Sequence, residues 1–275
     1  MNGGLPRRLL LPLCVILVLL WSLLPILWQV TTSFKPNSEL LSLPPLMPAS
    51  PTFEHYRVLF DEQPFHHVLV NSTVVAFATT LAALGIGSLA AFPLARLPIR
   101  GKGPFLGIVL GASMFPAIVT VGPLFVIIRE LGLRDTWWAL VISHTSFSLP
   151  LTIWILTNFM RELPEDLYRA SRIDGCTPWQ SFYHVFLPLC RPGLAAAAIL
   201  VFLFSWTEFL FALTFTATEA SRTVPVAIAL FPGLHEIRWG EMAAASVIVT
   251  IPVFLIVGAF HKHIVRGLTV GAVKG

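Results

Sequence analysis

The chain has 275 residues, of which 56% are hydrophobic and only 12% charged, with a mean hydropathy of +0.80. So few charges cannot cover a water-facing surface, whereas lipid tolerates an apolar exterior; a soluble globular domain is excluded and an integral membrane protein is expected. The net charge of +4 and pI near 9.3 do not mark a nucleic-acid binder, because the basic residues lie in short loops between apolar runs, where they set membrane topology.

Arg7 and Arg8 precede an apolar run over residues 9–30, about 22 residues and enough to cross a bilayer. The run is long for a signal peptide and lacks an A-x-A-like cleavage site, so it reads as an uncleaved first span. Pro36, Pro44, Pro45, Pro48 and Pro51 then prevent regular structure, and residues 53–60 suit a short helix at the membrane surface. Five further spans are predicted over 68–94, 105–128, 138–160, 193–216 and 242–261, each roughly 20 to 27 residues. Ala83, Gly87 and Ala91 repeat every fourth residue in the second span, and Gly103, Gly107 and Gly111 do so around the start of the third. Small residues at this spacing let helix backbones approach closely in lipid. Pro116 and Pro123, Pro150 and Pro252 are expected to kink the third, fourth and sixth spans. The fold class is all-α with six transmembrane helices, divided as 1–67 (first helix and external loop) and 68–275 (a five-helix core carrying a polar loop, 161–192).

That loop is the one long polar stretch set closely between apolar spans. Pro164 suits a first helical turn, and Glu165 and Asp166 complement the positive end of the helix dipole. Leu167, Ala170 and Ile173 recur every third residue, and Gly175 is placed to end the helix in the left-handed conformation. Thr177, Pro178 and Gln180 open a second helix with a capping box. Its apolar stripe is Trp179, Phe182, Tyr183, Phe186 and Leu187, and Pro188 is expected to stop it.

On these residues the stretch resembles the EAA loop of inner-membrane permease subunits of binding-protein-dependent ABC importers. The family pattern, Glu-Ala-Ala, three residues, Gly, nine residues, Ile-x-Leu-Pro, falls on Arg169, Ala170 and Ser171, then Gly175, then Val185, Leu187 and Pro188. Arg169 replaces the family's Glu and Ser171 its second Ala. Arg172 to Gly175, including Asp174, is similar to the carbohydrate branch, of the maltose-type second permease. Ser33-Phe34-Lys35-Pro36 and Asn71-Ser72 resemble the family's first external loop region, and the segment 217–240 its binding-protein contact. Gly267 to Gly275 resembles the C-terminal tail of sugar-type permeases.

The resemblance implies a type I importer permease fold with cytoplasmic coupling helices, and transport of a sugar or polyol. Its implied partners are a second homologous permease, two ABC ATPases that bind ATP and Mg, and an extracytoplasmic solute-binding protein. With the N-terminus inside, 12 of the 18 Lys and Arg fall on the cytoplasmic side, so both termini and the coupling loop are expected there. No Walker A sequence occurs, since Gly101-Lys102-Gly103 lacks both the upstream Gly and the following Ser or Thr; no ATP hydrolysis, cofactor or metal site is expected in this chain. Cys14, Cys176 and Cys190 form no paired framework and are expected as reduced thiols.

Glu208 stands out inside the fifth span, where an acid costs about 2.5–3.5 kcal/mol on insertion scales and must face protein or a wet cavity. Trp206-Thr207-Glu208-Phe209 resembles the family's Trp-Asn-Glu/Asp-Phe element. Two readings stand: a structural hydrogen bond inside the bundle, or a place on the substrate path, shared with Thr207 and with His144 of the fourth span. Alternatives for the whole chain are a permease for another solute class such as glycerol phosphate, an ion-coupled carrier, or an intramembrane enzyme using Glu208 and His144. The carrier reading lacks visible repeats, and the enzyme lacks a convincing acid–base constellation.

Overall fold

The computed structural model describes residues 5–40, 46–63, 65–231 and 237–269, without the side chains of 5–9 and 260–269. Among these residues all regular structure is helical: α1 Leu5–Ser33, α2 Asn37–Leu40, α3 Glu54–Asp61, α4 Phe65–Arg96, α5 Lys102–Ser113, α6 Ala117–Glu130 and α7 Trp137–Glu162. There follow α8 Glu165–Ile173, α9 Pro178–Leu189, α10 Arg191–Thr207, α11 Leu210–Phe215, α12 Val224–Ala229 and α13 Trp239–Thr269. Four helices are long and apolar enough to span a membrane, α1, α4, α7 and α13, and the number rises to as many as six if the bent pairs α5–α6 and α9–α10 each count as one span. The chain divides into two units, Met1–His66 with Ile228–Ile251, and His67–Ala227 with Pro252–Gly275.

In the first unit α1 is apolar and exposed around its circumference, with Trp21 83% exposed, as a helix bathed in lipid should be. Its end is tied to α3, the short helix expected near 53–60. The Ser33 hydroxyl meets the Tyr56 hydroxyl at 2.8 Å, and the Phe34 ring packs edge-on against Phe53. Lys35 is fully buried beneath Trp28, and its carbonyl lies 2.8 Å from Nε2 of the equally buried His55.

In the second unit the small-residue stripe of α4 works as expected. Ala83 and Ala91 are wholly buried, and a Cβ on Gly87 would lie 2.6 Å from Thr152 Cγ2, so α4 and α7 cross too closely there for any side chain. The stripe at Gly103, Gly107 and Gly111 has no neighbour within 4 Å among the described residues. Its spacing alone did not secure a packing partner.

Two predicted spans are broken rather than kinked. The third divides into α5 and α6 at an angle of 88°. Pro116 caps α6 at ψ 125°, having no N–H to continue α5 and disfavouring helix at Phe115 before it. The fifth ends α10 at Thr207, passes Glu208 in extended conformation (ψ 130°), and resumes as α11 at Leu210. Met114 and Phe115 keep the first gap apolar, and apolar residues lie on both sides of Glu208 at the second, which is why each stretch reads as a single span.

Polar ties fix the connections at one end of this unit. Asn71 donates through Nδ2 to the Glu219 and Arg222 carbonyls and accepts from Trp137 Nε1, while the Ser72 hydroxyl accepts from the Val224 N–H. Asp135, the one non-glycine residue with positive φ (62°) among the described residues, accepts from the Ala217 and Thr218 N–H groups and the Thr218 hydroxyl at 2.7–3.0 Å, and from Ser221. Burial alone would raise its pKa, but these donors outweigh it and hold the carboxyl well below the usual range. Residues 232–236, including Pro232 and Gly233 of the expected binding-protein contact, and residues 270–275 of the tail lie outside the described residues.

Candidate functional site

The polar loop forms the two hinged helices that its sequence encodes, α8 and α9. Gly175 adopts φ +85°. The Cys176 N–H donates to the Ser171 carbonyl at 2.9 Å and the Gly175 N–H to the Arg172 carbonyl at 3.3 Å, the paired bonds of a Schellman terminus. Across the hinge, Thr177 Oγ1 accepts from the Gln180 N–H while Gln180 Oε1 accepts from the Thr177 N–H, completing the capping box.

The faces of the two helices differ from the expected stripes. On α8 the inward residues are Leu167, Tyr168 and Ser171, whereas Ala170 is exposed and Ile173 is 85% exposed. Ser171 turns in because its hydroxyl meets that of buried Ser181 at 2.8 Å, locking α8 to α9. On α9, residues Ser181–Phe186 wind as a π-helix, with the Leu187 N–H donating to the Phe182 carbonyl five residues back. The aromatic stripe therefore splits into two rows. Phe182 and Phe186 are buried, while Trp179 and Tyr183 are 62% and 57% exposed. Pro188 lies within the last turn; the chain runs one residue further to Leu189 and then bends by 75° into α10.

The inward row seats the loop on the membrane helices. Phe92 of α4 packs on Phe182 and Phe186 at 5.4 and 5.3 Å between ring centres, in one cluster with Leu156, Met160, Cys190 and Ala197. Val185 and Leu187 flank this cluster half-buried, and Pro188 is exposed. Arg169 points outward and pairs with Glu165 at 3.2 Å, both more than 70% exposed, so the pair is worth at most about 1 kcal/mol. Asp174 caps α8 and is exposed. The loop thus has a buried aromatic side and an outward side bearing Arg169, Ala170, Ile173, Asp174, Trp179 and Tyr183. An apolar face of this kind next to a charged one is suited to another protein.

The second set of expected residues comes together only in part. Glu208 Oε2 lies 3.1 Å from His144 Nε2, and His144 Nδ1 lies 2.8 Å from Ser205 Oγ. The two side chains are only 7% and 0% exposed. The same carboxylate accepts from the Phe211 N–H (2.9 Å) and the Ala212 N–H (3.1 Å), so it caps α11. Thr207 takes no part: it is exposed, and its hydroxyl donates to the Leu203 carbonyl of its own helix. Trp206 is buried and stacks on Phe202 at 5.5 Å. Sequence reasoning missed that the helix ends at Glu208, since Glu is not a preferred capping residue. It also passed over Asp135, and over Arg96, which it counted only as a charge. Among the described residues no group of three or more His, Cys, Asp or Glu is placed to hold a metal.

A family profile described as the inner membrane component of binding-protein-dependent transport systems matches residues 83–270. The chain is 45% identical over 261 residues to the trehalose transport system permease protein SugB of Mycobacterium tuberculosis, covering 94% of this chain and 95% of that one. It is 43% identical over 272 residues to the trehalose/maltose transport system permease protein MalG of Thermococcus litoralis, covering 98% of each. Among solved structures, a bacterial ABC transporter that imports the acidic polysaccharide alginate superposes with a TM-score of 0.81 at 20% identity, over 95% of this chain and 98% of its own. The chain belongs to the binding-protein-dependent transport system inner membrane component family. It has the fold of an ABC importer's transmembrane subunit, and it is a multi-pass membrane transport subunit rather than an enzyme.

Proposed function

We propose that the chain forms one side of the translocation path of an ATP-driven importer for a sugar, most closely a small glucose-type oligosaccharide such as trehalose or maltose. Its partners in this reading are a second homologous permease, two ABC ATPases carrying ATP and Mg, and an extracytoplasmic solute-binding protein. The relatives named for trehalose and maltose transport support the substrate class, at identities of 45% and 43% over almost the whole chain. Basic residues favour both termini and the polar loop in the cytoplasm.

One observation carries the coupling role: α8 and α9 form a rigid two-helix unit whose inner aromatics are seated on α4 and α7 while Ile173, Trp179 and Tyr183 stay exposed. Such a unit transmits a push on its outer face to the membrane helices as a rigid body. ATP-driven closure of the ATPases would move it and switch the path between inward and outward access. Along that path we assign Glu208 and His144, supported by their polar pair at a break in the fifth span, where backbone freed from helical bonding is tolerated beside protein or water, and Thr207 by its exposure next to them.

The test is purification with the native partners, reconstitution into proteoliposomes, and ATP hydrolysis measured with the binding protein over a panel of sugars. Stimulation by one sugar class, trehalose or maltose among its members, is expected. Stimulation only by a non-sugar such as glycerol phosphate would overturn the substrate reading.

A further inference from the structure

Arg96, the last residue of α4, makes contacts that span three elements. Its Nη2 donates to two carbonyls at the end of α7, those of Met160 and Leu163. Those carbonyls are acceptors that the helix end leaves without an N–H of its own, and they lie at its negative pole, where a cation is favoured. The same guanidinium sits 4.9 Å from the ring centre of Phe186, in the π turn of α9. One helical turn earlier, Phe92 packs on both Phe182 and Phe186. The guanidinium therefore touches the end of α4, the end of α7 and the buried row of α9 at once, and only a planar fork with several N–H donors does this.

Of the other charged side chains on the loop, Arg169 pairs within α8 and Arg172 donates to the Cys176 carbonyl, while the Glu165 carboxylate of α8 attracts the Arg96 guanidinium itself. The rest of the side-chain attachment is apolar packing, which is non-directional; to it, and to the covalent joints of α8 with α7 and of α9 with α10, the cation adds direction.

We propose that Arg96 is the positioning residue for energy coupling, the clasp that makes the α8–α9 unit and the ends of α4 and α7 move as one body. The proposal rests on the reading of the loop as an ATPase-coupling element. When the outer face of the loop is displaced, Arg96 carries the displacement to α4 and α7. Without it the ATPases still dock on the outer face, which Arg96 does not touch, but their movement is only loosely converted into movement of the path.

The experiment uses the whole reconstituted complex and compares Arg96→Gln, Arg96→Lys and Phe186→Leu with the parent. The readout is binding-protein-stimulated over unstimulated ATP hydrolysis, together with sugar transported per ATP, both normalised to assembled complex. Loss of the guanidinium is expected to lower transport per ATP about tenfold, the change produced by about 1.4 kcal/mol. Arg96→Lys should recover part of this, since it keeps the charge but loses the fork. Phe186→Leu keeps the two carbonyl bonds and removes the ring face, so it should lower coupling with less effect on assembly. A merely stabilising role would reduce the amount of complex while leaving transport per ATP at the parental value, and that result in Arg96→Gln overturns the proposal. Should Arg96→Gln fail to assemble, parental coupling in both Phe186→Leu and Arg96→Lys overturns it equally. If the parent complex itself showed no ATPase association, the coupling-loop reading would fail instead, which separates the two.

Discussion

His144 and Glu208 meet at 3.1 Å across the break in the fifth span, and the carboxylate that meets the imidazole also caps the helix that follows. A single side chain thus fixes the break and ties it to α7. Seen only as an acid in lipid, Glu208 would be improved by leucine. As a cap paired with a buried imidazole it would not. Glu208→Leu leaves the Phe211 and Ala212 N–H groups and His144 without their acceptor, a loss of about 1–3 kcal/mol for the buried partner alone. Thermal unfolding in detergent should show Glu208→Leu less stable than the parent and Glu208→Gln between the two, since an amide oxygen still accepts. Transport should fall in the same order. Unchanged stability in Glu208→Leu would show that the carboxylate does not cap α11, whatever its part in the path.

Gly175 is the position at which a side chain does most harm to the loop. Its φ of +85° is open to glycine and costs an ordinary L-residue about 1–2 kcal/mol. Gly175→Ala should weaken binding-protein-stimulated ATP hydrolysis modestly and Gly175→Val severely, with membrane insertion intact in both. No atom lies within 4 Å of the added Cβ, so the effect is one of backbone angle and not of crowding. Equal, parental stimulation in both variants would show that the angle between α8 and α9 does not matter to coupling.

How these two sites read from sequence differs for a physical reason. The hinge is local: a capping box and a left-handed glycine draw on residues three or four positions apart, so Thr177, Gln180 and Gly175 could be placed from the chain alone. The break at Glu208 is local in its cap, the Phe211 and Ala212 N–H groups, but it also draws on His144, 64 residues earlier in the chain, and that part cannot be read from spacing. The α5–α6 break lay hidden because apolar residues continue through it, although Pro116 was on view. The π turn in α9 likewise left no mark in the spacing of Trp179, Phe182, Tyr183 and Phe186. It could be seen only once Phe92 and Arg96 had been placed against one row of those rings.

Asp135 should act as a latch on residues 217–221. Its folded pKa is depressed, so the stability it contributes is present above the ordinary carboxylate pKa, about 3.9, and is lost as pH falls through the lower folded value. Between pH 5 and 8 the latch should therefore be insensitive to pH. Asp135→Asn tolerates the left-handed backbone but offers fewer acceptors, so it should loosen the segment; Asp135→Ala should loosen it further. Hydrogen exchange at Ala217 and Thr218, whose N–H groups the carboxylate accepts, reports this directly. Parental protection of both amides in Asp135→Ala would refute the latch.

Orientation follows from a single label. On a background lacking Cys14, Cys176 and Cys190, a cysteine at exposed Gln180 should react with a membrane-impermeant maleimide in inside-out vesicles and stay unlabelled in intact cells. Labelling in intact cells would reverse the topology and remove the loop from reach of any ATPase.

The central claim is that the exposed row of the loop meets an ATPase, and cross-linking tests it most directly. Cysteines at Trp179 or Tyr183, 62% and 57% exposed, should form disulfides with cysteines introduced along the docking surface of the partner ATPase in the assembled complex. The buried row, sampled at Phe182, should give none. Cross-links that appear and that also lock ATP hydrolysis out of its response to the binding protein are the expected result. An intact, stimulated complex in which neither Trp179 nor Tyr183 cross-links to any ATPase position would contradict it.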